Sequence, residues 1–199
     1  MMKDSPLTLY VVDDDEARRR SLLLLLSSQG LAVRAFDAGE AFLDAVDTGQ
    51  PGCVILDLRM GGMSGLAVFE RLRAARSPLV TVFLSGHGDI PTALEAVRSG
   101  AWDWVAKPDT EQLLDKLPAA IAEARARGHA RRLWDELTPR EREVARLVGL
   151  GQPNKEIARV LVPPCGPRSV ETHRANIFHK LRCANDNELG RWLAAYPWL

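Results

Sequence analysis

Five short apolar runs, at 7–12, 31–36, 53–56, 79–84 and 102–105, alternate with amphipathic stretches at 16–28, 39–46, 66–75, 91–99 and from about Glu111 onward. No other feature limits the fold so strongly. Strand-length runs separated by helix-length segments build a parallel sheet with helices on both faces. Strands buried on both faces should be nearly continuous in apolar residues, and LYVV, VIL and VFL are. The front half is therefore expected to be α/β, doubly wound, with five βα units.

The residues that follow these runs carry the chemistry. Asp13 and Asp14 follow the first, Asp57 the third, Ser85 the fourth and Lys107 the fifth. In open sheets of this class ligands bind beyond the carboxyl ends of the strands, where strand order reverses. With the order 2-1-3-4-5 that point lies between strands one and three, so Asp13, Asp14 and Asp57 converge there. Three carboxylates in one small site need a cation, and oxygen ligands with open positions suit Mg²⁺. Taken singly, Asp13 to Asp15 are also good helix caps, and Asp57 and Lys107 also suit ordinary turns. It is their joint placement at successive strand ends that points to a site.

The chain of 199 residues has no net charge, but the charge is unevenly spread. Residues 1–118 hold 17 acids against 12 lysines and arginines, a net −5, and residues 119–199 hold 9 against 14, a net +5. Two domains with different partners follow, the basic one a candidate for nucleic acid. No apolar run reaches membrane-spanning length, and MMKDSPLT lacks a secretory pattern. Cys53, Cys165 and Cys183 share no metal spacing and read as free thiols, so the expected location is cytoplasmic, with no membrane partner.

The basic half opens with a capping box, Thr138-Pro-Arg-Glu141, and an apolar stripe of Val144, Leu147 and Val148 ended by Gly149 and Gly151. A second helix at 155–161 turns Ile157, Ala158 and Leu161 inward. After a turn rich in Pro and Gly, PRSVETHRANIFHKL forms a third with Val170, Ile177 and Leu181 inward, and a short last helix begins at Asn185 or Asp186. Two short helices, a turn and a helix bearing Arg, His and Lys make a small all-α helix-turn-helix candidate. Arg168, Glu171, Thr172, Ala175 and His179 would face the major groove. Lys155, Arg168, Arg174 and Lys180 would be phosphate contacts, and Asn154 and Ser169 complete the expected DNA-binding set. Between the halves, Pro118 is expected to kink or break a charged helix, with Gly128 a second weak point.

VVDDDEARRR, VILDLRMGGMSGL and VFLSGHGDIPTALEAVRSGAWDWVAKP resemble the receiver domain of two-component response regulators, over about residues 6–117. LTPREREV, NKEIA and RSVETHRANIFHKL resemble the LuxR-type DNA-binding domain, over about 137–195. Together they resemble the NarL/FixJ family. The resemblance implies a flavodoxin-like receiver at 1–117, a helical linker at 118–136 and a helix-turn-helix domain at 137–199. It further implies that Asp57 is phosphorylated and that Asp14, Asp57 and the Arg59 carbonyl hold Mg²⁺, with Asp13 acting through water. Ser85 and Lys107 would contact the phosphoryl group, and Trp104 would be the switch aromatic. The implied partners are a sensor histidine kinase, promoter DNA, RNA polymerase if the chain activates, and a second copy on phosphorylation. The chain would be a regulator and not an enzyme.

Three departures stand out: Gly61 occupies a usual proline position, which would loosen the 59–65 loop; Asp109 follows Lys107-Pro108 where an aromatic is common; and the turn VPPCGP is about two residues longer than is usual. A rival reading, a Mg²⁺-dependent aspartyl phosphotransferase of the haloacid dehalogenase type, wants a second Asp two residues after the nucleophile, where this chain has Arg59. Another rival, an RNA-binding antiterminator, would lack the NKEIA and SVETH strings.

Overall fold

The structure, a computed structural model, describes residues 7–86, 90–107 and 109–199, apart from the side chains of Ser85, Ile90 and Ala93. The Ser85 hydroxyl, expected to contact the phosphoryl group, lies outside the described residues. The chain divides into two compact units, 1–128 and 129–199. No helix among the described residues is long and apolar enough to cross a membrane.

In the first unit, β1 (Thr8–Val12), β2 (Ala32–Phe36), β3 (Gly52–Asp57), β4 (Val80–Ser85) and β5 (Asp103–Ala106) form one sheet in the order β2-β1-β3-β4-β5. Every neighbouring pair is parallel. Side chains alternate across the sheet, as strand geometry requires. Leu9, Val11, Cys53, Ile55, Val82 and Val105 point to one face, against Leu22 and Leu26 of α1 (Glu16–Ser28) and Leu113, Leu117, Ala120 and Ala124 of α5 (Thr110–Asp135). Tyr10, Val12, Val54, Leu56 and Phe83 point to the other. They meet Phe42 of α2 (Gly39–Ala45), Val68, Phe69 and Leu72 of α3 (Gly65–Ala74) and Ala96 of α4 (Ile90–Arg98). β3, the middle strand, is buried along its whole length.

The expected break at Pro118 does not occur: α5 is one helix through both Pro118 and Gly128. A proline inside a helix loses one hydrogen bond and costs about 3 kcal/mol. Here Leu113, Leu117, Ala120 and Ala124 bury the helix against the sheet on both sides of Pro118 and offset that cost. Beyond it, Arg127 ion-pairs with Glu123 at 2.8 Å and donates to the Leu79 carbonyl at 3.2 Å.

The second unit packs α6 (Pro139–Gly149), α7 (Asn154–Val160), α8 (Pro167–Leu181) and α9 (Asp186–Ala195) around Val144, Val148, Ile157, Leu161, Val170, Ile177, Leu181 and Leu189. Leu133 and Trp134, from the end of α5, belong to the same core, and Trp134 stacks on Trp192 at 6.1 Å. Thr138 and Glu141 form the expected capping box, and Asn185 caps α9.

Candidate functional site

The acidic crevice is built by strand ends. Asp57 is the last residue of β3, and Asp13 follows β1, its amide donating to the Phe36 carbonyl at 3.2 Å. Parallel pairing sets Val12 beside Leu56, so the two acids leave the sheet side by side. Both are buried, whereas Asp14 is exposed. Carboxylate oxygens of Asp13, Asp14 and Asp57 lie within 4.8 Å of one another. Gly65 makes this corner possible: a Cβ there would stand 2.0 Å from the Asp57 carbonyl oxygen, so only glycine lets α3 start so close to the strand.

Among the described residues, Lys107 and Arg18 bring cations into the crevice. The Lys107 ammonium, just past β5, lies 2.6 Å from Asp57 Oδ2 and 3.5 Å from Asp13 Oδ2. Arg18 Nη1 donates to both Asp13 oxygens, at 3.1 and 2.9 Å, and reaches Asp57 Oδ2 at 3.4 Å. The Arg59 amide donates to Asp57 Oδ1 at 3.1 Å. Burial raises the Asp57 carboxyl above its ordinary range, while Lys107 and the Arg59 amide pull it the other way. Asp15 stands apart as the N-cap of α1. The Arg18 amide, then the Arg18 charge, hold its exposed carboxyl below the usual range.

The 59–65 loop is better anchored than Gly61 suggested. The Gly61 amide donates to Asp14 Oδ2 at 2.8 Å and the Met63 amide to Glu40 Oε1 at 3.0 Å. Trp104 lies half-buried on β5, its carbonyl accepting from Lys116 Nζ at 2.9 Å. Neither Arg18 nor Glu40 was expected in this site from the sequence. The spacing of Arg18, three residues after the cap Asp15, permits an ion pair but does not single it out, since Arg19 stands four residues after the same acid.

In the second unit, Arg168, Ser169, Glu171, Thr172, Ala175 and His179 are all exposed on α8, opposite the buried Val170, Ile177 and Leu181. Lys155 is exposed on α7. Two expected phosphate contacts are engaged elsewhere. The Lys180 ammonium lies 2.7 Å from Glu141, a buried carboxylate on α6. Arg174 donates to Asn154 Oδ1 at 3.0 Å and also pairs with Asp186, so it ties α8 to α7 and α9. A buried carboxylate needs a compensating cation, which is why Lys180 turns inward and not toward solvent.

The long turn is held from α6: Arg140 donates to the Val162 carbonyl at 3.2 Å and to that of Pro163, while Glu143 pairs with Arg140 at 2.9 Å. The Cys165 amide donates to the Ala158 carbonyl at 3.2 Å. Beyond this turn, α8 has three buried anchors, Val170, Ile177 and Leu181.

The family model described as "Response regulator receiver domain" matches residues 9–118. The one described as "Bacterial regulatory proteins, luxR family" matches 135–193. The chain is a response regulator. It is 40% identical over 192 residues to the transcriptional regulatory protein FixJ of Bradyrhizobium diazoefficiens, covering 92% of each chain. It is 37% identical to the tetrathionate response regulatory protein TtrR of Salmonella typhimurium, covering 92% of this chain and 90% of that one. Among solved structures, full-length FixJ from B. japonicum matches with a TM-score of 0.58 at 36% identity, covering 98% of this chain and 100% of FixJ. This response regulator is a phosphorylation-controlled transcriptional regulator of a two-component system. The dehalogenase and antiterminator readings fall away, because the receiver match accounts for the aspartates and the luxR match for the helices.

In this response regulator the Lys180–Glu141 pair is open to test. Burial alone would push the Glu141 carboxyl up, but Lys180 and the Thr138 donors outweigh it and hold the carboxyl low. A carboxyl depressed in the folded state adds stability above its unfolded pKa, and that stability is lost as pH falls through the folded value. Lys180→Met is expected to destabilise the second unit by about 1–3 kcal/mol at neutral pH, and to flatten the acid dependence of its melting. Arg168→Ala, on the exposed face, should leave the melting point unchanged within about 0.5 kcal/mol. Equal melting temperatures for the two variants would show that the ion pair is not structural.

Proposed function

We propose that Asp57 accepts the phosphoryl group from a sensor histidine kinase. Asp14, Asp57 and the Arg59 carbonyl would hold Mg²⁺, with Asp13 acting through water. The observation that carries this reading is the meeting of Asp13, Asp14, Asp57 and Lys107 at the strand ends, on one chain with an exposed helix-turn-helix. The donor set fits the ion: three carboxylates offer hard oxygen ligands, and the exposed side of Asp14 leaves room for water.

A carboxylate oxygen of Asp57 forms the new bond to phosphorus as the bond to the donor breaks, and the donor leaves with the electron pair. Bound Mg²⁺ supplies neutralisation of the phosphoryl oxygens. Lys107, 2.6 Å from Asp57 Oδ2, supports the same charge from the β5 side. Ser85, at the end of β4, is proposed to donate to a further phosphoryl oxygen, with Trp104 reporting the change on the α4–β5 face.

The output is DNA binding through α7, the turn and α8. Lys155 and Arg168 are proposed to meet phosphates, and Ser169, Glu171, Thr172 and Ala175 base edges. Lys180, Arg174 and Asn154 are left to the internal pairs described above. The phosphorylated chain is proposed to act in the cytoplasm as a homodimer on promoter DNA, contacting RNA polymerase if it activates.

The test is a paired assay. The chain is treated with a small-molecule phosphodonor and Mg²⁺, the acyl phosphate is located by mass spectrometry, and binding to selected DNA fragments is measured with and without donor. No phosphoryl uptake, or no DNA binding in either state, overturns the reading. A finer assignment can be checked in the same material. Asp14→Ala is expected to weaken Mg²⁺ binding at least about tenfold, the loss of one charged ligand. Asp15→Ala, which loses only a helix cap and a partner of Arg18, should have a much smaller effect on the metal. Equal losses in a metal titration would mean the two acids are misassigned.

A further inference from the structure

We infer that Arg18 is a tethered counter-ion that competes with Mg²⁺ for Asp13 and Asp57, and so sets the metal concentration at which this receiver becomes ready for phosphorylation. The inference rests on the metal reading above and concerns a residue that reading does not use. Its ground is the placement of one guanidinium. Arg18 Nη1 reaches both oxygens of Asp13, at 3.1 and 2.9 Å, and lies 3.4 Å from Asp57 Oδ2. Its other nitrogen, Nη2, lies 3.0 Å from Asp15 Oδ2.

The occupancy of Asp13 is decisive. Its side chain has no solvent exposure, so its charge has to be met inside the protein. Oδ1 accepts from the Asp15 amide at 2.9 Å and from Arg18, and Oδ2 faces Arg18 at 2.9 Å and Lys107 at 3.5 Å. Arg18 thus lies nearer to Asp13 than Lys107 does. A divalent ion, or its bound water, approaching Asp13 from the crevice has to use lone pairs that Arg18 now holds.

Arg18 also has somewhere to go. Its side chain is 35% exposed and Asp15 is 44% exposed, so the guanidinium can let go of Asp13 and keep Asp15 without entering a dry environment. Its backbone amide is fixed to Asp15 Oδ1 at 2.9 Å, which anchors the root of the side chain during such a swing. The neighbouring arginines cannot substitute: Arg19 Nη1 donates to the Asp13 carbonyl at 2.8 Å, and Arg20 is exposed on the helix. Arginine stays charged at any working pH, so this exchange answers to metal concentration and not to protons.

Removing the competitor should tighten the metal. Arg18→Gln in the full chain is expected to raise Mg²⁺ affinity about three- to tenfold, the order expected when one positive charge is taken from beside a divalent ion in a half-exposed crevice. Arg18→Lys keeps the charge but loses the fork that spans Asp13 and Asp15, and should give a smaller rise. Affinity is read by calorimetric titration with MgCl₂. A second readout needs no metal: in EDTA, Arg18→Gln should melt below wild type, because Asp13 has lost the Arg18 cation. In saturating Mg²⁺ the two melting points should converge.

Near-UV circular dichroism confirms that each variant is folded; if Arg18→Gln is not, the Arg18→Lys titration decides. Equal Mg²⁺ affinity in wild type and the folded variants overturns the inference and leaves the metal reading standing. A wild-type chain that takes up no Mg²⁺ overturns both.

Discussion

Asp57→Asn is expected to reduce phosphoryl uptake from a small-molecule donor to background, a loss of at least about 10³-fold, since the group that forms the covalent bond is gone. The substitution keeps the shape and removes the charge. The amide oxygen that replaces the carboxylate is a poor nucleophile toward a phosphoryl group. The new amide nitrogen cannot accept from Lys107, which sits 2.6 Å from Asp57 Oδ2 in the native chain. The two neighbouring acids are poor substitutes. Asp13 is fully buried, with both oxygens held by Arg18, and Asp14 Oδ2 accepts from the Gly61 amide at 2.8 Å. The variant should fold, because replacing one of three clustered carboxylates relieves repulsion. Mass spectrometry that found the same amount of acyl phosphate on Asp57→Asn would falsify the assignment and shift it to Asp13 or Asp14.

Much of the receiver is legible in the sequence. Strands buried on both faces read as unbroken apolar runs, so β1, β3 and β4 were found to within a residue or two, and strand order then placed Asp13, Asp14 and Asp57 together. What the sequence hid depends on which partners meet after folding. Arg18, Arg19 and Arg20 look alike in a string, and only the rotation of α1 over Asp13 decides which of them enters the crevice. The continuity of α5 was hidden because Pro118 is a strong local signal, and the burial of Leu113, Leu117, Ala120 and Ala124 that overrides it is tertiary. Lys180 looked like a phosphate contact because its partner Glu141 is 39 residues away, on another helix. Leu133 and Trp134 sit in an Ala- and Arg-rich stretch whose apolar pattern is too sparse to announce a core.

Phosphorylation is expected to raise affinity for a two-half-site DNA fragment about 10- to 100-fold at fixed salt, by pairing two chains through their receivers. One helix-turn-helix reads only a short half-site, and its hold on phosphates is salt-sensitive. Two of them held together on one duplex turn the second contact into an intramolecular event, with an effective concentration in the millimolar range for a short linkage. The α4–β5–α5 face is the proposed contact. Leu94 of α4 is 44% exposed there, and the Lys116–Asp103 pair at 2.7 Å joins α5 to β5 beside Trp104, so a change at Trp104 is felt on that surface. The phosphorylated chain should sediment as a dimer, and the slope of log affinity against log salt should steepen as a second set of phosphate contacts forms. A fragment without the receiver should bind weakly and ignore the donor. It should start at about residue 129 and not at Leu137, since Leu133 is buried in the second core and Trp134 stacks on Trp192; a fragment from Leu137 should melt at lower temperature. If the phosphorylated full chain stays monomeric and binds DNA no better than the untreated chain, receiver pairing is not the coupling, and the acyl phosphate must act on the DNA-binding unit by another route.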